Sequence, residues 1–310
     1  MKRRVAARLP AEAAGKTLLE YLSSRFAYHS ADEWSSKITS GEIALNNEII
    51  SDPQIILQHN MLLEYFPANL VEPAVNSNYR IVFEDDHLLV IDKPGNLPVH
   101  PAGPYFANTL WALLADSGYG KVHLVNRLDR ETSGLLIAAK QSSVAGIISK
   151  SMAEMEKCYY VLVHGKFECE RNVKGFLTAD TASPIKKKQK FIFTAPGENE
   201  KAVSAETLFT PLQSNDKFTL LSAALRTGRM HQIRATLNGL NYPVVGDKLY
   251  GLDEQFYRRF ALDTLSREDK AALILDRQAL HCCKLSFAHP VSGEILSFKS
   301  DLPPEIADLL

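Results

Sequence analysis

Apolar positions along the chain follow first a helical period and then a strand period. Leu18, Leu19, Leu22 and Phe26 recur at helical spacing and predict a first helix. In "SADEWSSKI" a second helix is expected, with Ser30 as its N-cap, because a serine hydroxyl accepts from unpaired amides of the first turn. "EIALNNEII" sets Asn46-Asn47 between short apolar runs, a hairpin signal because Asn tolerates the positive φ such turns need. With the strand "MLLEYF", residues 16–66 read as one compact unit. "PANLVEPAVNSN" at 67–78, with two prolines and small polar residues, breaks the pattern as a linker would. The expected organisation is a small domain at 1–70, a linker at 71–78 and a large domain at 79–310.

Past residue 79 strands dominate. "RIVFEDDHLLVIDKP", "YYVLVHGKF", "KFIFTA", "SAETLFTPL" and "FTLLSAALRTG" are β-branched or aromatic runs broken by Gly, Pro, Asn and Asp. Helical segments are fewer: "NTLWALLADSG" with Asn108 as cap, "VAGIISKSM", and "MHQIRATLNG", which ends on a glycine suited to a C-terminal cap. On a helix beginning near Met230, the residues Met230, Ile233 and Leu237 share an apolar face, and His231, Arg234 and Asn238 share another. Arg234 is therefore expected beside the core rather than in it. Residues 252–276 are charge-rich and read as an inserted helical loop.

Composition narrows the class. The chain has 310 residues, 45% hydrophobic and 23% charged, the profile of a soluble globular protein. No run approaches the roughly 20 apolar residues of a spanning helix, and the basic start lacks the apolar core of a secretory signal, so a cytoplasmic location and no membrane partner are expected. Cys158, Cys169, Cys282 and Cys283 show no metal-binding spacing and read as reduced thiols; no metal site is expected. A net charge of -1 does not advertise a nucleic-acid partner, yet residues 121–190 hold 13 Lys and Arg against 7 Asp and Glu. The basic surplus is local.

That surplus surrounds "LVNRLDRETSGLLIAAK". "SGLLIAAK" reads as a strand, so Asp129 lies on the loop entering it, where a rigid sheet displays reactive groups. Arg127 and Arg130 would favour its carboxylate form, and an ionised Asp is a usable nucleophile; the same residues also fit an ion-pair cluster that ties down a loop. In "EKCYYVLVHGKF", Tyr159 shares a strand face with Val161 and Val163, and Lys157 starts the strand. A tyrosine there could stack on a base or move a proton, or simply pack. In "LRTGRMHQIRATLNG", the fork of Arg234 is a natural partner for the Asp129 carboxylate if the two meet in space. Lys186, Lys187 and Lys188, in "PIKKKQK", read either as a solvated face or as a phosphate-tracking patch.

Taken in order, these stretches resemble the RluA-type pseudouridine synthase family from about Tyr79 to the end. "FEDDHLLVIDKPGNLPVHP", "NRLDRETSGLLIAAK", "KCYYVLVHG", "TGRMHQIRATL", "YPVVGDKLYG" and "RQALHCCKLSFAHPVSG" carry the resemblance. Residues 16–66 similarly resemble the small α-L RNA-binding domain of ribosomal small-subunit protein four. The resemblance implies an α+β fold whose large domain is built on a mixed, mostly antiparallel sheet. It implies isomerisation of uridine to pseudouridine in ribosomal or transfer RNA, without cofactor, by a monomer. Asp129, Tyr159 and Arg234 would be catalytic, and Arg127 would fill the gap left by a flipped base. Arg130, Lys157, Arg229, His231, Gln232 and the three lysines would meet substrate or RNA. The chain departs from the family's pattern at Asn126, where histidine is usual, at Met230 and at Asn60. An inactive RNA-binding or ribosome-assembly factor of the same fold is the alternative. A glycoside hydrolase fits poorly, because such enzymes need two carboxyl groups about 5 to 9.5 Å apart.

Overall fold

In the computed structural model, which describes residues 4–26, 29–67, 71–197 and 201–310, the chain divides into two units. One holds residues 1–73 with 103–107, the other 74–102 with 108–310. Residues 68–70, at the start of the proline-bearing stretch assigned as linker, lie outside the described residues.

The smaller unit contains β1 (Val5–Arg8), α1 (Leu18–Arg25), α2 (Ala31–Thr39), β2 (Ile43–Leu45), β3 (Glu48–Ile50) and β4 (Leu62–Tyr65). Its four strands pair in the order β1-β4-β2-β3. Thr17 with Glu20, and Ser30 with Glu33, form reciprocal capping boxes that set where both helices begin. Asn46 and Asn47 take φ of 52° and 69°, as the hairpin between β2 and β3 requires. Trp34 is buried among Leu18, Leu22, Ile38 and Ile43, so the apolar positions that predicted the two helices make the core. Strand β1 has no apolar alternation and all four residues exposed, which is why its sequence carried no strand signal.

The larger unit holds β5 (Arg80–Glu84), β6 (Leu88–Lys93), α3 (Leu110–Leu114), β7 (His123–Leu124), β8 (Ser133–Ala139), α4 (Ser142–Lys150), β9 (Glu156–His164), β10 (Arg171–Ala179), β11 (Gln189–Ile192), β12 (Ala202–Ser214) and β13 (Phe218–Leu225). Then follow α5 (Gln232–Gly239), α6 (Gln255–Ala261), α7 (Arg267–Leu273), β14 (Leu280–Ala288), β15 (Ile295–Lys299) and α8 (Pro304–Ala307). Eleven strands form one sheet, along the path β11-β10-β12-β13-β9-β14-β8-β6-β5, with β15 on β14 and β7 on β8. Among the described residues only β8 and β14 pair in parallel; the fold is α+β on a mixed, mostly antiparallel sheet. All seven residues of β8 are buried, as an unbroken apolar run at the middle of a covered sheet requires.

Three local expectations are corrected. Helix α3 is capped by Thr109, whose hydroxyl accepts from the Ala112 amide at 3.2 Å, and not by Asn108. Helix α5 starts at Gln232, so Met230 lies before it and is exposed instead of continuing an apolar face. The left-handed residue after α5 is Asn241, φ 63°, while Gly239 stays within the last turn. The charge-rich stretch 252–276 does form helices, α6 and α7. Among the described residues no helix is long and apolar enough to cross a membrane, and the four cysteines are free thiols.

Candidate active site

Parallel strands begin at the same end of a sheet, so the loops entering β8 and β14 emerge together. Their register pairs His281 with Ser133 and Cys282 with Gly134. Gly134 has φ +105°, and a Cβ there would lie 2.3 Å from the Cys282 carbonyl oxygen, so only glycine permits this pairing. Just before β14, the Gln278 amide donates to the Thr132 hydroxyl at 2.5 Å and to Asp129 Oδ2 at 3.4 Å. On the other side of β14, β9 sets Tyr159 opposite Cys282.

Helix α5 delivers Arg234 to the same place. Its Nη1 donates to Asp129 Oδ2 at 2.7 Å, while Nε and Nη2 donate to the two oxygens of Asp247 at 2.6 and 2.8 Å. Asp247 is held in turn by the amides of Leu249 and Tyr250, both 2.9 Å from its Oδ1. The guanidinium also lies over the Tyr250 ring, 4.9 Å from its centroid. Arg234 is therefore buried, and the expectation that it would stand beside the core is overturned. A charge tolerates that position only because carboxylates on two sides share it. The Asp129 side chain keeps 34% of its surface exposed, whereas that of Asp247 keeps none.

Burial works against ionising Asp129, but Arg234, with help from His231 and Gln278, outweighs it and holds the carboxyl below its usual range. The neighbouring arginines are not the cause. Arg127 is exposed, and its charge is felt by His100; Arg130 turns to Glu131 at 3.3 Å and lies over the Phe260 ring. Lys93 at the end of β6 is fully buried and donates to the carbonyls of Pro94 and Arg130, which braces the Asp129 loop from below. Burial brings its pKa down to about 7. Asn126, the departure from the family's histidine, is also buried, and its Oδ1 accepts from the Ile137 amide at 2.7 Å, tying the loop to β8.

The remaining sequence-derived residues separate into two groups. Tyr159 is buried near Asp129, and burial beside Cys282 pushes its hydroxyl well above the ordinary tyrosine range, so it stays protonated. His231 Nε2 is 3.7 Å from Asp129 Oδ1. Lys157 is buried and donates to the Met152 carbonyl. Arg229 is exposed and donates to the Ser204 carbonyl. Gln232 is buried with its amide committed to Thr227, Arg229, Glu206 and Thr207, so it shapes the loop before α5 and has no polar atom left for RNA. Lys186 and Lys187 are exposed, Lys187 4.3 Å over the Tyr257 ring, whereas Lys188 is tied to Glu254 and Asp180. Asp247, Tyr250, Gln278 and Lys93 had no role assigned from sequence, although "GDKLY", "RQALH" and "IDKPG" sit in the motif stretches. Among the described residues no group of three metal-ligating side chains occurs.

Residues 87–239 match the family described as RNA pseudouridylate synthase. A ribosomal large subunit pseudouridine synthase D of Buchnera aphidicola subsp. Baizongia pistaciae is 31% identical over 301 residues, 94% of this chain and 91% of that protein. The tRNA pseudouridine(32) synthase of Saccharomyces cerevisiae mitochondria is 30% identical, over 77% of this chain and 51% of that protein. Among solved structures, human RNA pseudouridylate synthase domain containing 4 superposes with a TM-score of 0.55 at 25% identity, covering 73% of this chain and 90% of that one.

Proposed function

Because the chain belongs to the RNA pseudouridylate synthase family, we propose that it converts uridines of large-subunit ribosomal RNA to pseudouridine, with Asp129 as the carboxylate that acts on the nucleotide. Pseudouridine synthases are RNA isomerases: the glycosidic carbon–nitrogen bond breaks, the uracil turns, carbon five bonds to the sugar, the proton of carbon five leaves to solvent, and the freed ring nitrogen takes up a proton. The observation that carries the reading is the 2.7 Å ion pair between Arg234 and one oxygen of Asp129, with a third of that side chain left open. The pair keeps the acid ionised and oriented at the mouth of a buried polar network.

A stacked base is out of reach of such a group, so the target must leave the helix, at a cost of a few kcal/mol. Arg127, exposed and two positions before Asp129, fills the vacated space. Tyr159, neutral at the floor, stacks on the uracil. Arg229, Lys186 and Lys187 track phosphates, and the smaller unit adds RNA contacts of its own. The protein acts as a cytoplasmic monomer without cofactor. The relatives named for large-subunit ribosomal RNA match nearly the full chain, which favours that substrate over transfer RNA.

The test is release of tritium from transcripts labelled at carbon five of uracil. The parent protein releases tritium from large-subunit ribosomal RNA, and Asp129→Asn releases none above background while circular dichroism shows that it is still folded at the assay temperature. Turnover by Asp129→Asn near the parent rate sinks the assignment of Asp129. Release from transfer RNA alone moves the substrate assignment. Tight binding by a parent protein that releases nothing points to the assembly-factor reading.

A further inference from the structure

Asp129 presents two unequal oxygens. Oδ2 takes the hydrogen bonds of Arg234 and Gln278, whereas Oδ1 accepts no hydrogen bond among the described residues and has His231 Nε2 at 3.7 Å. The oxygen available to react is therefore Oδ1, and the group that faces it is the imidazole. What that imidazole can do depends on which nitrogen carries its proton.

The wiring behind His231 answers this. The Tyr250 hydroxyl accepts from the Gln189 backbone amide at 2.8 Å, and its only other partner among the described residues is His231 Nδ1 at 2.9 Å. A buried hydroxyl proton needs an acceptor, and Nδ1 is the one present. Burial raises the Tyr250 pKa, so the phenol keeps that proton. Burial also lowers the His231 pKa to about 4, so the ring is neutral near pH 7 and has one donor and one acceptor nitrogen. With Nδ1 accepting, the proton resides on Nε2, the nitrogen that faces Asp129. The His231 backbone is left-handed, φ 57°, a conformation uncommon outside glycine and costly enough to persist only where the surroundings impose it.

We propose that Gln189 and Tyr250 lock His231 in its Nε2–H tautomer, and that this N–H donates to Oδ1 of Asp129 in the substrate complex and fixes the reacting oxygen. His231 is then a positioning residue, and the inference rests on the pseudouridine synthase reading above. The 3.7 Å separation is too long for a hydrogen bond, and contacts of this type tighten when the reaction complex forms. The relay also explains why Tyr250 is a tyrosine: its ring faces Arg234 while its hydroxyl serves the histidine.

Two measurements test it. Long-range proton–nitrogen correlation spectra of the intact protein read the His231 tautomer directly; the Nε2–H form is expected near pH 7, and a mixture in Tyr250→Phe. An Nδ1–H ring in the parent protein, or an unchanged tautomer in Tyr250→Phe, overturns the relay whatever the turnover. In the tritium assay His231→Leu should lose about 10- to 150-fold in kcat, the worth of a hydrogen bond to a charged group, with little change in KM. His231→Gln keeps an N–H donor and should recover much of the loss. Parent kcat in His231→Leu, a change confined to KM, or His231→Gln no better than His231→Leu each overturns the positioning role. A parent protein that carries the Nε2–H tautomer but releases no tritium from any RNA defeats the function reading and the positioning role with it, and leaves the relay standing.

Discussion

Arg234 sits between two carboxylates that the structure treats differently. Asp247 has no exposed surface and holds Arg234 through two hydrogen bonds; Asp129 holds it through one and stays partly open. The first anchors the guanidinium; the second is the one that the proposed function assigns to the nucleotide. Removing Asp247 leaves a buried guanidinium under-compensated, so Asp247→Ala should lose about 3 to 5 kcal/mol in urea denaturation. A loss below about 1 kcal/mol would show that Asp129 alone suffices. Two histidines make a further prediction. Burial lowers the pKa of both His231 and His281 to about 4, from 6.5 in an exposed side chain. Between those values the unfolded chain binds more protons than the folded one, so stability is present above about pH 6.5 and is lost as the pH falls toward 4. The urea midpoint should drop between pH 7 and 5, and a flat profile would refute it. At this scale Asp129 and Arg234 were legible as partners. Asp247 was not, because its turn-rich neighbourhood gives no hint that the carboxylate faces a guanidinium 13 residues upstream.

The parallel pairing of β8 with β14 is the element-level feature on which the site depends, since it brings the Asp129 loop to Gln278. Gly134 permits it. Gly134→Ala combines a positive φ with a 2.3 Å approach to backbone that cannot swing away, so a loss of at least about 2 kcal/mol is expected by thermal or urea unfolding. Activity should fall by more than the unfolded fraction explains; a variant of parent stability would mean that the pairing tolerates a shift. Most elements followed from pattern. Capped amphipathic segments became α1 and α2, and the apolar run after Ser133-Gly134 became β8. Strands β7, β10 and β15 escaped, β7 for having two residues and β10 because charged and small residues interrupt its apolar positions. Strand β14 showed only as a motif of the resemblance, and nothing local says that it pairs in parallel.

Over the whole molecule, a net charge of -1 leaves RNA affinity to a restricted basic surface, so its salt dependence should be modest. The structure further divides the lysine run. Lys186 and Lys187 are exposed, while Lys188 already serves Asp180 and Glu254. Replacing Lys186 and Lys187 together by alanine should reduce the slope of log K against log salt by about 2, and Lys188→Ala should leave it almost unchanged. Equal effects from all three would contradict this division.

From sequence alone came most helices and strands and the pairing of one acid with one arginine, while the class of fold was implied by the family resemblance that the order of motifs carries. These depend on local period, capping chemistry and motif order, which are written in neighbouring residues. Tertiary structure alone decided that Arg234 is buried, that Asp247 shares it, that Gln232 and Lys188 are committed within the protein, and which oxygen of Asp129 stays open. Those outcomes depend on groups up to about 150 positions apart meeting in a low-dielectric interior, as Gln278 meets Asp129, and no local pattern encodes such a meeting.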